Sequence, residues 1–247
     1  MPLPTWKHRI LAALPIAIAA GFAAAPVMEQ PASYHLFADI RAFCGVPNFG
    51  DVASNLGFLC VGIYGLLQLR RGVSGIASRS WAVMFAGVVQ VSLGSAYYHL
   101  APTNETLVWD RLPMTFAFTA MTVAVISEFV SEKFERIALV PVVTIGAASV
   151  FIWYATGDLR LYFWVQVTSV AALLFSIFAF GNAARHRFYI LGAGVLYGSA
   201  ILAEQLDHEI FDLLFPILSG HTLKHLLAAG GLLMFPLRLR RIALENA

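Results

Sequence analysis

The sequence carries little charge for its length. Asp, Glu, Lys and Arg make up 12% of its 247 residues, whereas 59% are hydrophobic. A soluble domain usually carries about 25% charged residues, and so few charges could not cover the surface of a soluble fold of this size. The sequence also lacks a long polar segment that could form a separate domain. These absences exclude an ordinary soluble protein and indicate a membrane protein.

The sequence has only two cysteines and none of the common nucleotide-binding motifs. The two cysteines, Cys44 and Cys60, have neither a metal-binding spacing nor the pattern of a disulfide framework. The sequence contains no glycine-rich phosphate loop, no dinucleotide fingerprint and no nucleic-acid signature. We therefore expect no nucleotide cofactor and no nucleic-acid partner.

Long apolar runs are abundant, and each is close to the length needed to cross a hydrocarbon layer of about 30 Å as a helix. The eight runs cover residues 10–28, 52–69, 81–100, 112–130, 137–155, 161–180, 188–204 and 217–237. They predict an all-α, polytopic membrane helix bundle, with a seven-span core and one extra N-terminal hydrophobic helix.

Basic residues alternate between the loops. Twelve Lys and Arg residues fall on one side of the predicted spans, and only Arg41, Arg111 and Arg160 on the other. The positive-inside rule then places both termini in the cytoplasm of a multi-pass integral membrane protein. The first run, with its basic start and GFAAAPV sequence, is either a signal peptide or an uncleaved helix. Pro26 favours the uncleaved helix, because it hinders cleavage after the alanines.

Three histidines lie at span ends, where ionisable groups are costly and need a reason. His221 and His225 are four residues apart and share one face of a helix, and His99 closes the third run at the same predicted depth, near the extracytoplasmic side. They are either hydrogen-bonded interfacial residues or the three ligands of a zinc site with an open fourth position. Lys224 is expected to point elsewhere and to reach the outer surface.

Two further polar residues accompany the histidines. Ser95 lies one helical turn before His99, and Asp110 is expected in the outer loop just before the fourth run. Serine in a membrane helix often bonds to its own backbone, and Asp110 alone could be a solvated acid or a charge favoured at a helix start. The case for function rests on the whole set.

In this order and at these spacings, Ser95-x3-His99, Asp110 followed by RLPM, and His221-x3-His225 resemble the motifs of the alkaline ceramidases. These belong to a superfamily of seven-span membrane hydrolases that also contains the adiponectin-receptor-type proteins. The segment DVASNLGFL, residues 51–59, resembles the first core span of the family. The resemblance covers about residues 44–237.

The resemblance implies three parts of the chain and a specific chemistry. The parts are an N-terminal apolar segment with an outer loop at 1–43, a hydrolase domain at 44–241 and a cytoplasmic tail at 242–247. A zinc ion would be held by His99, His221 and His225. Asp110 would act as general base and acid, and Ser95 as an oxyanion donor, in cleaving the amide bond of a ceramide-like N-acyl lipid to a fatty acid and an amine base.

One feature departs from the eukaryotic members of that family, which carry a calcium site before the first core span. The corresponding segment here, DIRAFCGVPNFGDVAS, retains only Asp39 and Asp51 as acidic residues. Calcium is therefore not predicted.

Two other functions compete with the hydrolase. A receptor-like or regulatory protein of the same superfamily would keep the zinc site with little turnover. A transporter or proton relay would need ionisable residues spread through the membrane, whereas Glu128 is the only other candidate and lies near a cytoplasmic end. The sequence predicts a lipid substrate and the bilayer as partners and does not fix an oligomeric state.

Overall fold

The computed structural model describes residues 5–73, 76–180 and 186–246, and within them it contains helices and no β-strand. The helices in chain order are α1 (Trp6–Ala24), α2 (Phe49–Ser54), α3 (Leu56–Gln68), α4 (Ser78–Leu100), α5 (Asn104–Phe129), α6 (Lys133–Thr156), α7 (Arg160–Ala179), α8 (Arg187–Gln205), α9 (Asp207–Leu214) and α10 (Gly220–Asn246). Each of the eight predicted apolar runs corresponds to one of these helices or to the consecutive pair α2–α3.

Six of the described helical segments are long and apolar enough to cross a membrane. They are α1, the continuous stretch Phe49–Arg71, α4, α5, α6 and α7, and the pair α8–α9, bent by 84°, makes a seventh if it is taken as one span. The chain is thus an all-helical membrane bundle, as predicted. The prediction of eight spans differs at α10, which is helical but not among these candidates because His221, Lys224 and His225 reduce the apolar character of its first turns.

One compact unit comprises Met1–Gln30, Gly75–Met84 and Thr115–Arg185. In it, α1 and α6 pack against α7. The Lys7 ammonium donates to the Ala179 carbonyl at 2.6 Å, and the Trp164 indole donates to the Pro15 carbonyl at 2.8 Å. The predicted extra N-terminal helix is therefore bound to its own unit along its length.

The segment after α1 is attached to the α6–α7 loop of the same unit. Leu159 N–H donates to the Met28 carbonyl at 2.8 Å, and Arg160 pairs with Asp158 at 2.7 Å while also donating to the Ala25 carbonyl at 3.0 Å. The pairing of Asp158 with Arg160 is the local salt bridge expected for two charges in so short a loop.

The second unit comprises Pro31–Ser74, Phe85–Met114 and His186–Ala247. Here α10 packs against α8 and α3. Glycine residues let neighbouring helices of this unit approach closely. A Cβ atom on Gly231 would lie 3.1 Å from the Ala193 carbonyl oxygen, and one on Gly65 would overlap the Phe85 ring. All the predicted site residues belong to this unit.

Candidate metal centre

The three predicted histidines converge in the structure. His99 lies at the end of α4, and His221 and His225 lie on consecutive turns at the start of α10. Their ring centroids are 4.8, 5.1 and 4.9 Å apart, and one nitrogen from each ring lies within 4.8 Å of the others. All three side chains are buried. The cluster can hold a metal ion.

The start of α10 is held in place by Asp207, the first residue of α9. Its Oδ1 accepts a hydrogen bond from the His221 backbone N–H at 2.7 Å, and its Oδ2 accepts one from Ala38 N–H at 2.9 Å. The first N–H groups of a helix have no partner within the helix, so this carboxylate acts as a cap from outside it. Gly220 makes the close contact possible, since a Cβ atom there would lie 2.3 Å from the Ala203 carbonyl oxygen.

Ser54 determines which nitrogen of His225 faces the cluster. The Ser54 hydroxyl donates to the Asp51 carbonyl at 3.0 Å, and its oxygen lies 2.8 Å from His225 Nδ1. Because the only hydroxyl proton is used on Asp51, Ser54 accepts from Nδ1–H. The Nε2 of His225 then carries the lone pair that a metal ion needs, which is the usual arrangement of metal-binding histidines.

His99 is fixed through its backbone and its ring. The Asn48 amide donates to the His99 carbonyl at 2.8 Å, and the Phe37 ring packs at 4.7 Å from the His99 ring and 4.6 Å from the His221 ring. The Nδ1 of His99 is buried and makes no hydrogen bond within the described part of the chain. A buried nitrogen without a partner is uncommon, and a metal ligand role would account for it.

Three buried imidazoles form the type of donor set that zinc uses in catalytic sites, where a fourth position stays open. The orphaned nitrogen of His99 and the oriented ring of His225 both fit a bound cation. The nearest basic group, Lys224, is paired with Glu204 through a contact of 2.5 Å. That pairing reduces the repulsion a cation would otherwise meet at the cluster.

Ser95 and Asp110 are also brought together. Ser95 lies on α4 one turn before His99, and its side chain lies close to the Asp110 carboxylate. Both residues are buried. The two helices touch at Gly94, where a Cβ atom would stand only 1.9 Å from the Trp109 carbonyl oxygen.

The placement of Asp110 in a loop was wrong. It lies in the second turn of α5, which begins at Asn104. Thr103 and Thr106 explain the early start, because Thr106 N–H donates to the Thr103 hydroxyl at 3.3 Å and Thr103 N–H donates to the Thr106 hydroxyl at 3.0 Å. This reciprocal pair is a form of capping box, and it starts the helix eight residues before the apolar run.

The expectation for Lys224 was also wrong. Instead of reaching an outer surface, its ammonium is paired with Glu204 and lies 3.5 Å from Nε2 of His221. Sequence reasoning missed Glu204, Asp207 and Phe37 altogether. A detectable signal was the pair of acids Glu204 and Asp207, three residues apart at the end of an apolar run.

The two acids considered for calcium have protein partners. Both oxygens of Asp39 accept from the Arg41 guanidinium at 2.7 Å, and this pairing holds the pKa of Asp39 below its usual value. Asp51 is buried, and its Oδ1 accepts from the Thr222 hydroxyl at 2.6 Å.

A cavity of about 330 Å³ opens beside the cluster. Its wall includes Tyr34, Phe37, Glu204, His208 and His221, so the cavity reaches a residue of the metal centre directly.

The fold and this site define a helical membrane protein with a buried three-histidine centre able to bind a metal ion. The family model described as Ceramidase matches residues 46–201. The chain therefore belongs to the Ceramidase family, whose name implies a hydrolase acting on an amide bond. The matched segment contains Ser95, His99 and Asp110, and α10 with the other two histidines follows it. No curated protein matches the chain.

Proposed function

We propose that this protein is a zinc-dependent membrane hydrolase that cleaves the amide bond of a ceramide-like N-acyl lipid to a fatty acid and an amine base. The observation that carries the proposal is the convergence of His99, His221 and His225 in a member of the Ceramidase family. Three buried imidazoles, from two helices far apart in sequence, offer nitrogen atoms close enough to share one cation.

The three histidines would hold the zinc ion. When bound by three protein nitrogens, zinc supplies a Lewis acid and a water whose pKa is lowered to about 7. Ser54 holds the His225 ring in the required tautomer, and Phe37 restricts the His99 and His221 rings from one side. These contacts would hold the histidine rings in the orientation that metal binding requires.

Asp110 would act first as the general base and then as the general acid. In hydrolysis, the water oxygen bonds to the carbonyl carbon, the carbon–nitrogen bond breaks and the water proton must reach the departing nitrogen. A carboxylate within reach can accept that proton and then pass it to the amine. The closeness of Asp110 to Ser95 supports this role, because Ser95 lies one helical turn from His99 and so the carboxylate lies near the cluster.

Ser95 would be the donor that stabilises the oxyanion, because its single hydroxyl proton can turn towards the substrate when the tetrahedral intermediate forms. Removing such a donor typically costs about 2.7–4 kcal/mol in the barrier. An acyl-enzyme nucleophile is disfavoured, since His99, the histidine one turn away, is used as a ligand. The proposed orientation places this site near the extracytoplasmic side, with both termini in the cytoplasm. The division of the chain at 1–43, 44–241 and 242–247 stays a prediction.

The test combines metal analysis with a hydrolysis assay on purified protein. We expect about one zinc per chain, loss of zinc in His221→Ala, and turnover of a labelled N-acylsphingosine by the wild type. Asp110→Asn should keep zinc and lose turnover, and His8→Ala, which alters a histidine outside the cluster, should keep both. Zinc binding without turnover on a panel of N-acyl lipids would instead favour the receptor-like function, and absence of zinc would refute the proposal.

A further inference from the structure

Two residues of the cavity wall belong to the histidine cluster or contact it. His221 belongs to both the cavity wall and the histidine cluster. Phe37 lines the cavity and packs at 4.6 Å from the His221 ring and 4.7 Å from the His99 ring. A molecule seated in the cavity therefore has one end next to the reacting centre.

Seven of the nine described residues that line the cavity carry a polar or charged group. Leu36 and Phe37 are its only apolar lining residues among those described, and Ser33, Tyr34, Glu204, Gln205, Asp207 and His208 line the rest together with His221. Burying an acyl chain against such groups would leave their hydrogen bonds unmade, which is costly. The wall suits the polar end of a lipid.

The charged residues of the cavity wall further restrict the chemical class of ligand that can bind there. Two carboxylates, Glu204 and Asp207, line the cavity, and the described lining includes no lysine or arginine. A phosphate-bearing head group would be repelled by these acids, whereas hydroxyl and ammonium groups can donate hydrogen bonds to them. The two carboxylates are not equally available, because both oxygens of Asp207 already accept from backbone N–H groups.

Glu204 has an oxygen to spare. Tyr34 donates to its Oε1 at 3.4 Å and Lys224 at 2.5 Å, so both contacts use the same oxygen. No hydrogen bond from residues 5–73, 76–180 or 186–246 reaches Oε2, so this atom can accept from a ligand, and the Tyr34 and Lys224 contacts hold the carboxylate in position. Lys224 lies on α10 between the two histidines, so the orientation of Glu204 is tied to the metal centre.

We infer that this cavity binds the hydroxyl- and amine-bearing end of the N-acyl lipid, and that Glu204 selects lipids with a free hydroxyl near the amide nitrogen. The inference rests on the proposed function, since it names the substrate class of the same site. After cleavage, Glu204 would hold the amine product in the same place until it leaves.

Three substrates and one variant test the selection. The substrates share an acyl chain and differ in the amine part: an amino alcohol with a free hydroxyl, its O-methyl ether and its phosphate ester. We expect wild-type kcat/KM to be at least about tenfold higher for the free hydroxyl, as a hydrogen bond to a charged group allows. In Glu204→Gln, the ratio of kcat/KM for the free-hydroxyl substrate to that for its ether should fall about tenfold, because any change at the metal centre affects both substrates alike and cancels in the ratio.

Glu209→Gln is the matched control, because Glu209 is an exposed acid of α9 outside the described cavity lining. It should keep the wild-type preference. The inference would be overturned if Glu204→Gln kept the full wild-type preference for the free-hydroxyl substrate, or if both variants lost that preference equally. Either result would leave the hydrolase proposal intact.

A binding measurement separates this inference from the failure of the hydrolase proposal. The long-chain amino alcohol, which is the amine product, should bind the wild type about tenfold more tightly than it binds Glu204→Gln. If the wild type hydrolyses none of the three substrates, the hydrolase proposal fails and this difference in affinity still decides the cavity assignment. Equal affinity for the two proteins would refute it.

Discussion

Ser54 Oγ lies 2.8 Å from His225 Nδ1 and accepts a hydrogen bond from Nδ1–H, although 171 residues separate the two in sequence. The bond links the end of α2 to α10 and fixes the ring of one proposed metal ligand. Partners of this kind orient metal-binding histidines and raise their basicity.

Removing the Ser54 hydroxyl should therefore weaken metal binding. We expect Ser54→Ala to lower zinc affinity by about 10- to 100-fold, the usual effect of losing such a partner. Ser54→Thr, which keeps the hydroxyl, should stay close to wild type. Titration against a competing chelator gives both affinities, and equal affinities for all three proteins would contradict the role assigned to Ser54.

The approach of α4 to α5 at Gly94 should be intolerant of any side chain. A methyl group there would stand 1.9 Å from the Trp109 carbonyl oxygen, so the helices must separate and Ser95 must move away from Asp110. We expect Gly94→Ala to destabilise the protein by about 1–3 kcal/mol or more, as overpacking does, with a parallel loss of turnover. Gly198→Ala is the control, since no described atom lies within 4 Å of its added Cβ. Thermal unfolding in detergent compares the two, and similar melting temperatures would contradict the prediction.

Asp207 should contribute to both stability and metal binding. Replacing it with Ala removes two hydrogen bonds and leaves the backbone N–H groups of Ala38 and His221 without a partner, each loss costing about 1–3 kcal/mol. We expect Asp207→Ala to lower the melting temperature and to weaken zinc binding, because His221 loses its anchor. Asp207→Asn, which keeps one acceptor, should recover part of both. Unchanged zinc affinity in Asp207→Ala would show that α10 does not depend on this cap.

The loop between α6 and α7 should make stability depend on acid pH. The Arg160 guanidinium, followed by backbone N–H donors, lowers the pKa of Asp158 to about 2. Because this pKa lies below that of an unfolded aspartate, about 3.9, the ionised carboxylate stabilises the folded state above pH 4. That contribution declines as pH falls through about 2. The difference in melting temperature between wild type and Asp158→Asn should be constant from pH 7 to 5 and shrink below pH 4, and a constant difference throughout would contradict it.

Removing the proposed metal ion from the wild-type protein should lower the stability of its fold. A ligand that binds only the folded state stabilises it by RT ln(1 + [L]/Kd). We expect a chelator to lower the melting temperature of the wild type and added zinc to restore it, with no response in His221→Ala. A similar response in that variant would place the zinc elsewhere.

The sequence predicted the fold class and the histidine cluster because both depend on simple periodicities. Long apolar runs define helices, as with 137–155 inside α6 and 81–100 inside α4. The i, i+4 spacing of His221 and His225 places them on one face, and the depth of His99 follows from the alternation of the spans. The family predicted from those motifs is confirmed.

The errors have two causes, which are contacts between residues on different helices and local helix capping. The partner of Lys224 is Glu204 on another helix, and the hydrophobic pattern around Lys224 does not reveal it. The Thr103–Thr106 pair lengthens α5 by local capping, which hydropathy overlooks, and so Asp110 was placed in a loop. The hydrogen bonds that Asp207 accepts from Ala38 and His221 depend on the bend between α8 and α9, and no sequence motif predicts that bend.

The order of the three histidines along the chain bears on how the protein is made. His99 leaves the ribosome more than a hundred residues before His221 and His225, so for much of its synthesis the nascent chain has only one of the three imidazoles. The proposed zinc ion could therefore be bound only after the start of α10 has been made. A stop codon anywhere before residue 221 would remove two of the three proposed ligands and leave a chain unable to form this centre.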